Sequence, residues 1–366
     1  MASQTFKNII SKSGTQVPQF YSEKQKAAYT RVTTRLAQES ERYFGECVPP
    51  VFSIVRIFRR PFSDIIQCVV QFDQKSFGVY IKFPLVKENV EGEYERIHKN
   101  TKREVEVTKE FSSFFSNERA VSVPDVIAFF PDELVIVTKE KEGVPLMSLI
   151  AQTGKGKPGS EKLDLLKHAC FQVGKALKVF QKMPVLNMGK DELPSNLISY
   201  VDLRLRLLLE HGFIQMKERL NVVNYLEKQL EKTDGQTLNL CSVHGDFALG
   251  NILISGDQVV FLDLGMYRQG PPSFDFAYFH QHLDDLITNP FFLGTTITHL
   301  QDAFLKGYSE NFIRESPLFL SYYVRNMVNQ LLDLSRTDRL SPIKKIYQKW
   351  QYRQYLSNLK KVIQKN

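Results

Sequence analysis

The stretch VHGDFALGNIL, residues 243–253, sets the reading of the whole chain. A second run, VVFLDLG, residues 259–265, follows shortly after it. The short apolar segments 252–254 and 259–262 are strand-like and close on each other as a hairpin. Asp246, Asn251 and Asp263 therefore fall on loops flanking that hairpin. A lone Asp or Asn beside a strand is an ordinary turn residue. Three of them at this spacing around two apolar runs form a pattern that points to chemistry.

Phosphoryl transfer asks for a hydroxyl held in line, cations on the phosphates and a carboxylate near the hydroxyl proton. Asp246, at the mouth of a loop leaving an apolar run, suits the last role. Asn251 can return to the same place and offer its carbonyl oxygen to Mg²⁺. Asp263, at the end of VVFL, offers a carboxylate oxygen. Mg²⁺ favours such hard ligands and keeps waters and phosphate oxygens as well.

At 366 residues the chain suits two domains or lobes. The 43% hydrophobic and 24% charged content is that of a globular protein able to bury a large core. The net charge of +8 fits a polyanionic ligand such as a nucleotide, or an acidic lipid surface. No groove-entering motif or stacking aromatic pattern accompanies it, so nucleic acid is not the expected partner. Cys47, Cys68, Cys170 and Cys241 are widely spaced and form no CxxC pair, which reads as reduced core thiols in a cytoplasmic protein. No signal-peptide-like start and no apolar run of about 18 residues is present.

Taken in order, residues 1–45 read as a polar arm (1–20) and a helix over 22–44, capped by Ser22 with Tyr29, Val32 and Leu36 as its stripe. Three β-prone runs follow, PVFSIVRIF, DIIQCVVQF and SFGVYIKF, as an antiparallel meander. A helix over 99–116, with Val107, Phe111 and Phe114 on one side, precedes two strands, DVIAFF and ELVIVTK, turned at Pro131-Asp132. EKEGVPL, 140–146, is a hinge. Beyond it the chain is mainly helical: 163–182, then 196–231 broken near His211-Gly212, then 275–287, 296–314, 318–335 and a basic, aromatic helix over 342–365. The expected division is 1–45, a nucleotide-binding lobe over 46–142, and a helical lobe with the catalytic and metal loops over 143–366. GKGKPG, 154–159, matches GxGxxG but follows no strand, and reads as a loop.

The set VHGDFALGNIL, FLDLG and PSFDFAYF resembles the aminoglycoside phosphotransferase and choline kinase family. That likeness extends over about 50–335, through REVEVTKEF and SVPDVIAFFPDELVIVTKEKEGVPL. The resemblance implies an α+β, two-lobed protein-kinase-like fold: a small antiparallel sheet lobe with one helix, and a larger, mainly helical lobe. It implies ATP and Mg²⁺ as cofactors, Asp246 as catalytic base, and Asn251 and Asp263 as metal ligands. Lys82 would hold the α/β-phosphates and Glu104 would pair with it, with Glu106 as the fallback if the register slips. Asp275 would brace the catalytic loop, and His244 would hold it. The chain departs from the family where a glycine-rich loop should cover the phosphates. Here the link is FRRPFSDI, and Arg59 and Arg60 are the candidates to replace backbone donors with side-chain charge.

The acceptor implied is a small-molecule hydroxyl, on a sugar, an amino sugar or an amino alcohol, with a cell-surface glycan precursor as one variant. His280, His282, Asp284 and Asp285 in HQHLDDL are candidate acceptor contacts, as are Tyr267 and Arg268; solvated polar surface is the competing reading. The polybasic C-terminal segment leaves room for peripheral contact with an anionic membrane. A protein kinase is disfavoured, since no A-P-E segment follows and Asp263 lies close to Asp275. The missing glycine loop keeps open a catalytically silent, kinase-like nucleotide-binding module.

Overall fold

The computed structural model describes residues 20, 22–87, 90–184, 196–233, 239–309, 314–336 and 342–365. The chain begins with α1 (Glu23–Gln38), α2 (Ser40–Phe44), β1 (Val51–Arg59), β2 (Ser63–Gln71) and β3 (Ser76–Pro84). Next come α3 (Glu93–Phe114), β4 (Val121–Ser122), β5 (Val126–Phe130), β6 (Val135–Lys139), β7 (Val144–Pro145), α4 (Leu146–Thr153) and α5 (Ser160–Gln181). The rest comprises α6 (Leu197–Glu210), α7 (Met216–Glu231), β8 (Cys241–Val243), β9 (Ile252–Ser255), β10 (Gln258–Phe261) and β11 (Arg268–Gly270). Four helices close it: α8 (Ser273–Ile287), α9 (Gly294–Tyr308), α10 (Pro317–Ser335) and α11 (Pro342–Lys365). Two compact units result, one of residues up to 105 with 125–141, the other of 106–124 with 142 onward.

In the first unit, the described residues form an antiparallel sheet of order β1-β2-β3-β6-β5. Period-two alternation buries Ile66, Cys68 and Val70 of β2 and Val79 and Ile81 of β3 on one face. Val32 and Leu36 of α1 complete that core. So the helices over 23–44, set apart from the sheet in the sequence reading, belong to its packing; all of the expected arm except Phe20 lies outside the described residues. The single helix expected over 22–44 is two, because the chain leaves helical geometry at Glu39. Ser22 does cap α1, its side chain accepting from Gln25 N at 3.1 Å.

α3 begins at Glu93, six residues earlier than the apolar stripe suggests, with Glu93 and Glu95 in its first turn, where carboxylates complement the helix dipole. Val107 and Phe111 are buried as expected, but Phe114 is exposed and Phe115, in the short turn that follows, takes the buried place.

The second unit is helical around two small sheets, β4-β10-β9-β7 and β11-β8. α5 buries Leu166, Cys170, Val173, Leu177 and Phe180. It crosses α9 closely: a Cβ on Gly174 would stand 2.2 Å from the Phe304 carbonyl oxygen, and one on Gly307 would stand 2.0 Å from that of Phe171. The break expected near His211-Gly212 falls there, with Gly212 at φ 71°. GKGKPG lies between α4 and α5 as an irregular connection. All four cysteines are free, and Cys47 is exposed rather than in a core. No described helix is long and apolar enough to cross a membrane.

Candidate active site

The site residues of the second unit hang from one strand pair. β8 and β11 are antiparallel, with Val243 opposite Arg268, so the loop leaving β8 and the loop entering β11 start side by side. Gly245 is needed there on two counts. Its φ is 83°, and a Cβ would stand 2.0 Å from the Met266 carbonyl oxygen in the facing loop.

Asp275, fully buried in the first turn of α8, braces the loop from behind. Its Oδ2 accepts the His244 backbone N–H at 2.8 Å and its Oδ1 accepts that of Gly245 at 3.0 Å. Burial raises its pKa, while these backbone donors oppose the shift. The His244 ring ties the two loops together. Nε2 lies 3.0 Å from the Leu262 carbonyl oxygen, and Nδ1 accepts from Asp246 N at 3.3 Å. Only the Nε2–H tautomer of the neutral ring satisfies both bonds. Phe180, Phe247 and Phe261 surround the ring.

The Asp246 carboxylate is held by two donors. Asn251 Nδ2 reaches Oδ2 at 2.8 Å, and the same nitrogen reaches the Asp246 carbonyl at 3.0 Å. Tyr278 OH donates to Oδ1 at 2.9 Å. Tyr278 sits on α8, one turn after Asp275, and sequence reasoning did not single it out. Its position within PSFDFAYF was the available signal: an i, i+3 pair puts Asp275 and Tyr278 on neighbouring sides of the helix.

With its amide nitrogen committed to Asp246, Asn251 has its oxygen left for a cation. Asp263 follows Leu262, the residue that His244 grips. It is exposed and holds φ 61°, ψ 68°, a left-handed conformation that Asp tolerates better than most residues. Strained backbone of this kind concentrates at functional positions. Among the described residues no three His, Cys, Asp or Glu side chains converge into a metal cage. A donor set of one amide oxygen and one carboxylate instead fits Mg²⁺, which is commonly held by one or two protein oxygens plus substrate phosphates.

In the first unit, Lys82 of β3 pairs with Glu104 of α3, Nζ to Oε1 at 2.7 Å, with both side chains largely out of solvent. Glu106 is an exposed residue, and the ion pair to Lys82 is made by Glu104. The two arginines of FRRPFSDI differ from each other. Arg59 is answered by the buried Asp64 through two bonds, at 3.1 and 3.3 Å, so much of its charge is spent within the hairpin. Arg60 opens the turn, its N–H donating to the Ser63 carbonyl at 2.8 Å, and its side chain is exposed. The turn itself offers few donors, since Pro61 has no N–H.

The expected acceptor contacts are mostly internal. His280 is buried against Phe276, Phe304 and Phe319, and burial lowers its pKa to about 3. His282 packs on Tyr278, and burial lowers its pKa to about 4 against the pull of Asp246. Asp284 accepts from Tyr323 OH at 2.6 Å and Gln301 Nε2 at 2.8 Å. Asp285 accepts from Gln281 at 2.7 and 2.8 Å. Burial pushes both carboxyls up. Tyr267 is fully buried, its hydroxyl 3.1 Å from Ser242 Oγ. Arg268 lies over the Phe274 ring.

The model of the phosphotransferase enzyme family matches residues 95–315. The chain belongs to that family. It is accordingly a phosphotransferase, on an α+β, protein-kinase-like fold. Among solved structures, it is similar to an ADP-bound aminoglycoside phosphotransferase, APH(2″)-Ib, at 14% identity and a TM-score of 0.54, covering 92% of this chain and 97% of that one. A choline kinase from Cryptosporidium parvum Iowa II matches at 12% identity and a TM-score of 0.55, again over 92% and 97%. A choline/ethanolamine kinase family protein from Mesorhizobium loti matches at 13% and 0.51, over 93% and 100%. No curated protein sequence matches the chain.

Proposed function

We propose that this phosphotransferase moves the γ-phosphoryl group of ATP to a hydroxyl of a sugar, amino sugar or amino alcohol, a glycan precursor included. Asp246 accepts the hydroxyl proton as the oxygen attacks phosphorus and the bond to the ADP leaving group breaks. Asn251 and Asp263 hold Mg²⁺, which would neutralise the charge gathering on the phosphates. Lys82, kept in place by Glu104, binds the α/β-phosphates, and Arg60 adds charge at the hairpin. The observation that carries this reading is the Asp246 carboxylate, fixed by Asn251 and Tyr278 on a loop that His244 stitches to the one bearing Asp263. A base so held loses little orientation entropy when the acceptor arrives.

A second reading, a catalytically silent nucleotide-binding module, draws on the turn after β1, where Arg59 is tied to Asp64 and Pro61 removes a donor. A phosphate-transfer screen over sugars, aminoglycosides and choline-like alcohols, run beside Mg·ATP thermal protection, separates the two. Asp246→Asn should lower turnover about a thousandfold while keeping that protection. Protection by Mg·ATP with no acceptor turned over would leave the silent module.

A further inference from the structure

The terminal helix α11 presents two unlike faces. On one, Gln348 Nε2 donates to the Leu334 carbonyl at 2.8 Å, and Tyr352 OH donates to that of Phe213 at 3.1 Å. Tyr355 accepts from Gln281 at 2.9 Å, and Leu359 is buried. The positions 348, 352, 355 and 359 make one helical stripe, so this face is docked. The opposite face begins with Ile343 at 81% exposure, Ile346 at 71%, Tyr347 at 42% and Trp350 at 41%. The rings of Tyr347 and Trp350 stack at 5.7 Å. Their spacing is again that of one stripe, and it gains nothing from the fold, because the helix is already anchored by its other side. Further along, Gln354, Ser357 and Lys361 occupy the exposed face, so the apolar surface is confined to the first turns.

Cations surround that patch. Lys344, Lys349 and Arg353 are exposed, and none has a carboxylate partner among the described residues. The segment 342–365 holds seven basic residues and no acidic one. A contiguous apolar stripe rimmed by one sign of charge marks an interaction surface. Trp and Tyr beside aliphatic residues, with lysines around them, is the composition that rests at the boundary between lipid headgroups and acyl chains.

We propose that this face of α11 seats on an anionic lipid surface, Ile343, Ile346 and Trp350 entering the headgroup boundary and Lys344, Lys349 and Arg353 meeting lipid phosphates. A second copy of the chain is a poorer occupant: a two-fold contact through this face would set the same uncompensated cations against each other. The contact is peripheral, as α11 lies along the surface rather than through it.

Trp350 is the sole tryptophan of the chain, so its emission reports on the patch directly. The full-length protein is mixed with vesicles of phosphatidylcholine alone or containing about a third phosphatidylglycerol, at low and physiological salt. A blue shift of Trp350 emission, quenching by brominated acyl chains and co-sedimentation are expected with the anionic vesicles only. Ile346→Glu should weaken this binding at least tenfold, and Lys344→Gln with Lys349→Gln by about tenfold, at unchanged melting temperature. Unshifted emission without co-sedimentation at low salt overturns the proposal. Equal binding to neutral vesicles overturns the charge argument. A wild-type dimer that Ile346→Glu splits, by light scattering, assigns the face to a second copy instead. None of these readouts depends on phosphotransfer.

Discussion

The Asp246 carboxylate receives one hydrogen bond from its own loop, through Asn251, and one from α8, through Tyr278. Burial and the neighbouring Asp246 raise the pKa of Tyr278, so it remains a protonated donor throughout the working range. Tyr278→Phe keeps the ring and deletes the donor. Turnover should fall about fivefold, the worth of one such bond, while KM for the nucleotide stays fixed in steady-state kinetics. A fall in KM without a change in kcat would count against a positioning role. Asp285 offers a test of a different kind. Its carboxyl is pushed well above its ordinary 3.8, first by burial and then by Asp284. The folded chain therefore holds that proton more tightly than the unfolded chain, and stability drains away as pH rises from 3.8 through the raised value. Asp285→Asn should raise the melting temperature at pH 8 by about 2–4 °C and leave it unchanged near pH 3, read by calorimetry.

Among the elements, the crossing of α5 and α9 is the tightest constraint. Helix propensity alone predicts that Gly174→Ala stabilises α5 by up to about 1 kcal/mol. The crossing predicts the opposite sign, because the new methyl group would collide with the Phe304 carbonyl, which belongs to a helix and cannot turn aside. A loss of about 2–3 kcal/mol in urea unfolding is expected. The long elements were legible from periodicity: the meander, α5, the break at Gly212 and the helices from α8 to α11. The two- and three-residue strands β4, β7, β8 and β11 were not, since they are too short to show a period. Yet β8 and β11 set the loops bearing Asp246 and Asp263 side by side.

For the molecule as a whole, acid is the vulnerable direction. His280 and His282 titrate at about 3 and about 4 in the folded chain against an ordinary 6.5, burial being the first cause in both. The unfolded chain then binds more protons, so stability present above pH 6.5 is lost as pH falls toward 4. His280→Phe should shift the acid midpoint of unfolding, followed by circular dichroism, to lower pH. It removes a buried ring nitrogen that has no hydrogen-bond partner among the described residues and keeps an aromatic ring among Phe276, Phe304 and Phe319.

The residues proposed for the chemistry were all named from the sequence. Asp246, Asn251 and Asp263 were marked by their spacing around two apolar runs, and Lys82 and Glu104 by the resemblance to the family. What each polar group has as its partner was left to the tertiary structure. It gave Arg59 to Asp64, turned Asp284 and Asp285 toward Tyr323, Gln301 and Gln281, and supplied Tyr278 to Asp246. It also divided α11 into a docked face and a bare apolar one. Partners come from segments tens of residues apart, and desolvation decides which pairings survive. Neither long-range contact nor dehydration is written in the spacing of neighbouring residues.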